Sequence, residues 1–341
     1  MSTFKMIFSG RLEFGTERSF HQVVKFYQHR FENYYRKDIL LKSEDIFDES
    51  TYSLNVPRHI TESVEKSWRN TVNLIEYMAE FAIAGDFQAW MTSNGQMIQE
   101  RFIEPAGEKA ATQAFLKGRA LVDKGEEVKA KELLDHAIEK FERHAQAYER
   151  RGKVNFRLNN FKDALYDFSK SIDIYPDNPE AYIGRAAVKM VLSDYKAAIE
   201  DLELAIKSSI PHQPVFWQAR RMKGECHLRL EEYASAILEL KLATNRVYTQ
   251  KDPNFHWRKS AFFNFGKALL EAGEYVEAVK AFNKALSITA EERPRVSVDS
   301  EAFLLRGIAR QKAGESDFVN DWKEAAGMGS ERAASLLQTL V

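Results

Sequence analysis

The sequence contains one cysteine, almost no net charge and no long apolar run. Of its 341 residues only Cys226 is a cysteine, which excludes an intrachain disulfide framework and a cysteine-rich zinc site. The net charge is −1, so the positive balance that binding to a phosphate backbone requires is missing and no nucleic-acid partner is expected. Apolar residues make up 44% and charged residues 29%, the proportions of an ordinary folded protein.

No targeting or membrane segment is evident. The most apolar stretch, residues 77–84, contains Glu80 and is far too short to span a bilayer, so we expect no membrane insertion. Residues 1–5 lack a basic region followed by an apolar one, so we expect no secretory signal and a cytoplasmic location.

Residue patterns that carry chemistry are also lacking. The eight histidines are scattered, and none has the spacing of a metal site. Gly15 and Thr16 have the spacing of part of a phosphate-binding loop, but no lysine precedes the threonine. Cys226 lies two residues after Gly224 within a helical pattern, where a buried structural thiol is expected. We therefore expect no cofactor, no metal and no enzymatic activity.

An internal repeat dominates the rest of the chain. A small residue is followed twelve residues later by alanine, four residues after that by a large apolar residue, and three residues further by another small residue. The starting pairs are Gly118 and Ala130, Gly152 and Ala164, Ala186 and Ala198, Gly224 and Ala236, and Gly266 and Ala278. Two helices of a hairpin can approach closely where one of them presents glycine or alanine, so each copy predicts one helical hairpin.

The second copy resembles the tetratricopeptide repeat family. Residues 147–178 read AYERRGKVNFRLNNFKDALYDFSKSIDIYPDN and are close to the family consensus throughout. A sixth, shorter copy begins near Gly307, and the tail 330–340 has the pattern of a capping helix. The resemblance implies a mainly α protein, with an α–α superhelix of about six hairpins plus a capping helix over residues 111–341.

Opposite charges recur within the hairpins at a fixed spacing of fifteen or sixteen residues. We interpret them as structural ion pairs between the two helices of one hairpin. The pairs are Arg151 with Asp167, Arg185 with Asp201, Lys223 with Glu239, and Arg306 with Asp321. In the fifth copy both charges are replaced together, by Phe265 and Ala281.

Longer joints separate the later hairpins. The three insertions lie at residues 208–217, 245–259 and 291–298, and each contains proline. Phe216, Trp217, Phe255 and Trp257 in the first two could form an exposed aromatic site or cover the joints between hairpins; covering the joints is the preferred interpretation.

The first 105 residues follow a different pattern, which predicts a small α+β domain of order β-α-β-β-α-β-β with a mainly antiparallel sheet. Short strands are predicted at residues 38–41 and 51–56, with Pro57 ending the second and Thr61 capping the following helix. Asn94-Gly95 between two alternating runs predicts a hairpin. No family resemblance is evident in this part.

The family resemblance implies a groove lined by the first helix of each hairpin, which holds an extended peptide or a helix of a partner protein. The positions that match the groove-facing ones are Arg119, Gln146, Glu149, Lys153, Met190, Arg221, Glu225, Phe263 and Lys267. The carboxylate clamp of co-chaperone members is missing, because its sites hold Phe115 and Arg119, Arg150, and Glu180 and Gly184.

The sequence therefore predicts a non-catalytic scaffold or adaptor that binds a protein or peptide partner. Two alternatives remain open. The chain could be a structural subunit of a larger bacterial multiprotein assembly, docked or oligomerised through the α+β domain. The α+β domain could also be a small-molecule sensor or an enzyme regulated by the repeats.

Overall fold

The computed structural model describes residues 3–288 and 298–340 and divides into two compact units, the first ending at Val188 and the second beginning at Lys189. The predicted class, a mainly α protein with an antiparallel sheet before the repeats, is confirmed. The boundary between the units falls inside one helix.

The first unit begins with a five-stranded antiparallel sheet of order β2-β3-β1-β4-β5. Its strands are β1 (Phe4–Glu13), β2 (Phe47–Asp48), β3 (Ser53–Ser63), β4 (Ala84–Ser93) and β5 (Gln96–Ile103). Its helices are α1 (Glu17–His29), which continues as a short π-helix (Arg30–Tyr34), α2 (Ser43–Ile46) and α3 (Glu65–Ala79).

One face of the sheet packs against α1 and α3. Met6, Phe8 and Leu12 of β1 and Phe87 of β4 are fully buried in this core. Because successive strand residues point to opposite faces, Asp86 lies on the other face, directly opposite Arg11 in the ladder. This second face carries charged residues next to the repeats.

The hairpin prediction at Asn94-Gly95 is confirmed, because both residues have positive φ, 50° and 76°, and join β4 to β5. The predicted end of a strand at Pro57 is wrong, since β3 continues to Ser63. Pro57 lies where the register of β1 against β3 shifts, between the Val56 and His59 pairs, so the backbone N–H that it lacks is not needed by the ladder.

Two further local predictions are wrong. Residues 38–41 form no strand; Asp38 instead accepts hydrogen bonds from Ser67 and Asn70 of α3. Thr61 lies opposite Met6 within β3, and the helix begins only at Glu65. In both places the extended sheet and its packing against α3 override the local signals.

The repeats form the remainder of the described chain as successive helices. Within residues 3–288 and 298–340 they are α4 (Ala110–Lys124), α5 (Glu127–Lys140), α6 (Ala145–Arg157), α7 (Phe161–Ile174), α8 (Pro179–Val191), α9 (Tyr195–Ser208), α10 (Pro214–Arg229), α11 (Tyr233–Asn245), α12 (Arg258–Glu271), α13 (Tyr275–Ser287), α14 (Asp299–Ala313), α15 (Phe318–Gly327) and α16 (Glu331–Gln338). The unit boundary falls within α8.

Two glycines of the repeats, the patterned Gly152 and the additional Gly184, lie where a large side chain crosses them. In the first unit, a Cβ placed on Gly152 would meet the ring of Phe168 at 2.9 Å, and one on Gly184 would meet the same ring at 2.2 Å. Phe168 is buried between the two glycines, 1% exposed. The glycines therefore let a phenylalanine of α7 pack against both α6 and α8.

The second unit contains the hairpins α10–α11, α12–α13 and α14–α15, with α16 at the end. Its helix α16 begins after Ser330, whose side chain accepts from the backbone N–H of Ala333. Ala333, Leu336 and Leu337 pack on Trp322 of α15, so α16 covers the last hairpin. The third predicted joint, 291–298, lies outside the described residues apart from Val298.

Candidate protein-binding surfaces

In the first unit, the second face of the sheet contacts the positions expected to face a partner. Gln146 of α6 donates from Nε2 to Asp86 Oδ2 of β4 at 2.7 Å. Arg119 of α4 makes two hydrogen bonds, 2.5 and 2.8 Å long, to the carboxylate of Glu104 just after β5. The first two candidate groove residues are therefore bound to the chain's own α+β part.

Further contacts hold the same region together. Arg143, just before α6, lies 3.6 Å from Glu13, whose carboxylate also accepts from Arg11 at 2.7 Å. Thr112 of α4 donates to the carbonyl oxygen of Ile83 at 2.8 Å. Glu13 is 3% and Arg11 7% exposed, so these two charges are removed from water and depend on each other, whereas Arg143 approaches from the exposed side.

Asp86 is the most perturbed acid of this contact. Burial raises its pKa to about 6, with a further rise from Glu104 and Glu149, while the hydrogen bond from Gln146 and the charge of Arg150 act in the opposite direction. The carboxyl group is therefore held close to its protonation point under near-neutral conditions.

The next two candidate groove residues, Glu149 and Lys153, are 2.6 Å apart on one side of α6. Lys153 also lies 3.2 Å from Glu180 of α8, and Arg150 lies 3.2 Å from Glu149. Burial alone raises the pKa of Glu149, but Lys153 and Arg150 outweigh it and lower that pKa overall. Glu149 is therefore buried with its charge compensated, while Lys153 remains partly exposed and is engaged by two acids of its own unit.

Three of the charge pairs predicted within hairpins lie within ion-pair distance. Arg151 binds Asp167 through two hydrogen bonds, 2.6 and 3.0 Å long, and Asn155 adds a third at 2.9 Å. Lys223 lies 3.2 Å from Glu239, and Arg306 binds Asp321 at 2.5 and 3.0 Å.

The two members of the pair in the third hairpin, Arg185 and Asp201, belong to different units. Within the first unit Arg185 donates to Ser169 at 3.2 Å. Within the second unit Asp201 lies 2.7 Å from Lys189.

In the second unit the candidate groove residues lie on α8, α10 and α12. Arg221 is 7% exposed, binds Glu225 at 2.6 Å and lies under the ring of Trp257 at 4.5 Å. Phe263 is buried. Lys267 is partly exposed and lies 3.5 Å from Glu301 of α14. Met190, at the end of α8, is half-buried.

Sequence reasoning missed the sheet side of the first-unit contact, Asp86 and Glu104. Asp86 had a signal, because it is the single charged residue of the β4 segment Ala84–Ser93, which is otherwise uncharged and mostly apolar. Isolated acids in buried strands need a polar partner from another element. Glu104 follows the strand β5 and had no distinguishing signal.

Among residues 3–288 and 298–340, no group of three or more His, Cys, Asp or Glu side chains could hold a metal ion. The helices within the same ranges include none that combines the length and apolarity needed to cross a membrane. Cys226 is fully buried, and burial raises the pKa of its thiol to about 12, so the thiolate form is suppressed.

Family models described as tetratricopeptide repeat match residues 115–179, 184–247 and 260–292. The human DnaJ homolog subfamily C member 7 is 27% identical over 112 residues, which cover 33% of this chain and 22% of that protein. The Protein SGT1 homolog of Oryza sativa subsp. japonica is 30% identical over 118 residues, which cover 35% of this chain and 31% of that protein. The chain thus spans less than a third of the length of these relatives.

Solved structures share the repeat fold. A structure from a functional characterisation of Pseudomonas aeruginosa pilF superposes with a TM-score of 0.55 at 15% identity, covering 69% of this chain and 99% of that one. The pilus biogenesis factor PilW superposes with a TM-score of 0.51 at 16% identity, covering 68% of this chain and 99% of that one. At these identities the likeness concerns the fold.

Proposed function

Because this chain is a tetratricopeptide repeat protein, we propose that it is a non-catalytic protein-interaction scaffold of the cytoplasm. Stacked hairpins of this kind hold extended peptides or helices of partner proteins on the face formed by their first helices. The observation that carries the proposal is the series of tetratricopeptide hairpins in the second unit, whose first helices present partly exposed charges.

We place the partner site on the second unit, on α10, α12 and α14. In the first unit the corresponding residues Gln146 and Arg119 are bound to Asp86 and Glu104 of the same chain. In the second unit Lys267 and Glu301 are partly exposed, with side chains 36% and 52% accessible. An exposed ion pair can exchange its partner at little cost, since such pairs contribute only about 0 to 1 kcal/mol.

The test is affinity capture with the tagged full-length chain, followed by quantitative mass spectrometry. Lys267→Glu is expected to abolish recovery of the partner, because it reverses the charge that the partner contacts. The double variant Lys267→Glu with Glu301→Lys keeps the ion pair in swapped order. It therefore separates the effect of reversing the charge at the site from the effect of losing the ion pair. We expect it to lose the partner as well.

Lys280→Glu provides the matched control for charge, since Lys280 is an exposed lysine of α13 on the second helix of its hairpin. Its capture profile should equal that of the wild type. Equal recovery of all partners by the wild type and by both Lys267 variants would contradict the proposed site.

A further inference from the structure

The segment between α11 and α12, residues 246–257, is an addition to the repeat and is called the α11–α12 loop below. Small residues of neighbouring copies lie 34 residues apart early in the chain, but Gly224 and Gly266 are separated by 42. A hairpin can close without these extra residues. Insertions in repeat proteins lie on one face of the stack, which is often the binding face.

The α11–α12 loop is fixed in place by hydrogen bonds to the preceding joint. Arg246 donates to the carbonyl oxygen of Pro211 at 2.7 Å, and Trp217 donates to the same oxygen at 2.6 Å. Asn254, 5% exposed, donates to the carbonyl oxygen of Pro214 at 2.9 Å. The two joints therefore form one ordered surface, and a partner would bind it without first ordering a flexible loop.

Not all of the aromatic residues in the two joints are buried. Phe216 is 8% exposed and supports the joint from inside. Trp257 remains 46% exposed although its ring covers Arg221 at 4.5 Å, and Val247 is 90% exposed. Tryptophan, tyrosine and arginine are the residues most enriched at the energetic centres of protein interfaces.

The same surface has an excess of positive charge. Arg246 lies 3.6 Å from Asp252, and Lys259 of α12 lies 2.5 Å from Asp299, so these two are compensated. Lys251 and Arg258 have no acidic partner within the described ranges 3–288 and 298–340, and Arg258 stacks on Phe255 at 3.3 Å. Uncompensated charge at the rim of an apolar anchor selects partners of the opposite sign.

We propose that the α11–α12 loop is a docking surface for an acidic protein segment, with an apolar side chain of the segment on Trp257 and Val247 and its carboxylates near Lys251 and Arg258. The proposal rests on the proposed function as a protein-interaction scaffold and names a second surface and the charge of its partner. It is separate from the Lys267 site on α12.

The experiment measures fluorescence anisotropy of short labelled peptides with the full-length chain. The first peptide alternates glutamate and serine around one central leucine. The second replaces glutamate by lysine, and the third replaces the leucine by serine. The wild type should bind the first peptide tightest, and this binding should weaken with added salt because the rim charges are exposed.

Trp257→Ala should weaken binding of the first peptide by about tenfold or more, as expected for an interface anchor. Because that ring also covers Arg221, Val247→Glu is the second variant; its side chain is almost wholly exposed, so the fold is unaffected while the charge repels the acidic peptide. Val276→Ala, an exposed valine of α13, is the control and should bind as the wild type does.

Equal binding of the first and second peptides, or unchanged binding by both loop variants, would overturn the proposal. Tighter binding of a single-stranded oligothymidylate that Trp257→Ala abolishes would also overturn it, since the surface would then be one for nucleic acid. Lys267→Glu separates the two proposals. If Lys267→Glu retains peptide binding but loses the captured partner, the loop and the α12 site are independent. If the wild type captures a partner but does not bind the first peptide, only the loop proposal is overturned.

Discussion

The side-chain amide of Gln146 donates to the carboxylate of Asp86 at 2.7 Å, across sixty residues of sequence. This bond joins the first helix of the second hairpin to the fourth strand of the sheet. The face of α6 that the family resemblance assigns to an external partner therefore contacts the chain's own α+β part. In the first unit the sheet takes the place that a partner takes in the proposed function of the second.

The first prediction concerns the pH dependence of stability at this contact. Burial raises the pKa of Asp86 from 3.8 to about 6, so between about pH 4 and 6 the folded chain holds a proton that the unfolded chain has lost. The free energy of unfolding contributed by Asp86 therefore falls as the pH rises through this window. Asp86→Asn should remove this dependence and raise the stability at pH 7 by roughly 3 kcal/mol.

His144 produces the opposite dependence in the same unit. It is 1% exposed, and burial lowers its pKa from 6.5 to about 3. Between these values the unfolded chain binds the extra proton, so the contribution of His144 is lost as the pH falls. Each substitution leaves only the pH dependence of the other group. In urea unfolding at a series of pH values, the stability of Asp86→Asn should therefore fall as the pH drops below about 6.5, because His144 remains. The stability of His144→Asn should rise over the same range, because Asp86 remains. Two parallel profiles would contradict these assignments.

The second prediction concerns the packing of Phe168 between two hairpins. Gly184→Ala places a methyl group 2.2 Å from the ring and should lower the free energy of unfolding by about 1 to 3 kcal/mol. Gly327→Ala is the control, because Gly327 lies in a helix and a Cβ added there would meet no other atom within 4 Å, so that change should be neutral or stabilising. Equal effects of the two changes in urea unfolding would exclude the packing role.

The third prediction concerns the turns inside the hairpins. The residue at the end of the first helix has positive φ in each turn, and it is glycine in some copies but Asn159, Ser193 or Glu231 in others. A left-handed conformation strains a residue with a Cβ, so Glu231→Gly should raise the thermal midpoint. Gly273→Ala, at φ 84°, should lower it by a comparable amount. A lower midpoint for Glu231→Gly would count against the assignment.

The fourth prediction concerns the buried pair of Arg151 and Asp167. Asp167 is 1% exposed, so Arg151→Phe alone leaves a buried carboxylate without its cation and should cost about 3 to 5 kcal/mol. The double variant Arg151→Phe with Asp167→Ala copies the fifth hairpin, which has Phe265 and Ala281 at these positions.

The double variant should be more stable than Arg151→Phe alone, because no buried charge is left uncompensated. A double-mutant cycle by urea unfolding gives the coupling energy of the pair. Additive effects of the two single changes would show that the two side chains do not stabilise each other.

The repeats could be predicted from the sequence because each hairpin is specified by residues close together in the chain. The spacing from Gly152 to Phe168 brings one helix against the next, and the spacing depends only on helical geometry. The β4–β5 hairpin could be predicted for the same reason, since Asn94-Gly95 specifies the turn locally.

The contact between sheet and repeats could not be predicted in this way. Asp86 and Gln146 belong to elements that are each complete without the other, and no periodic pattern links them. The continuation of β3 beyond Pro57 was also missed, because the register shift that accommodates the proline depends on the pairing with β1. Sequence patterns identify the elements, but they do not identify which polar groups meet between them.

The most direct test of the central claim is hydrogen–deuterium exchange of the full-length chain with and without its captured partner. We predict that backbone amides of α10, α12 and α14 become protected when the partner binds, while those of α6 around Gln146 keep the same exchange rate. Protection confined to α6, or release of its amides from the contact with β4, would contradict the account, because the partner would then occupy the place of the sheet.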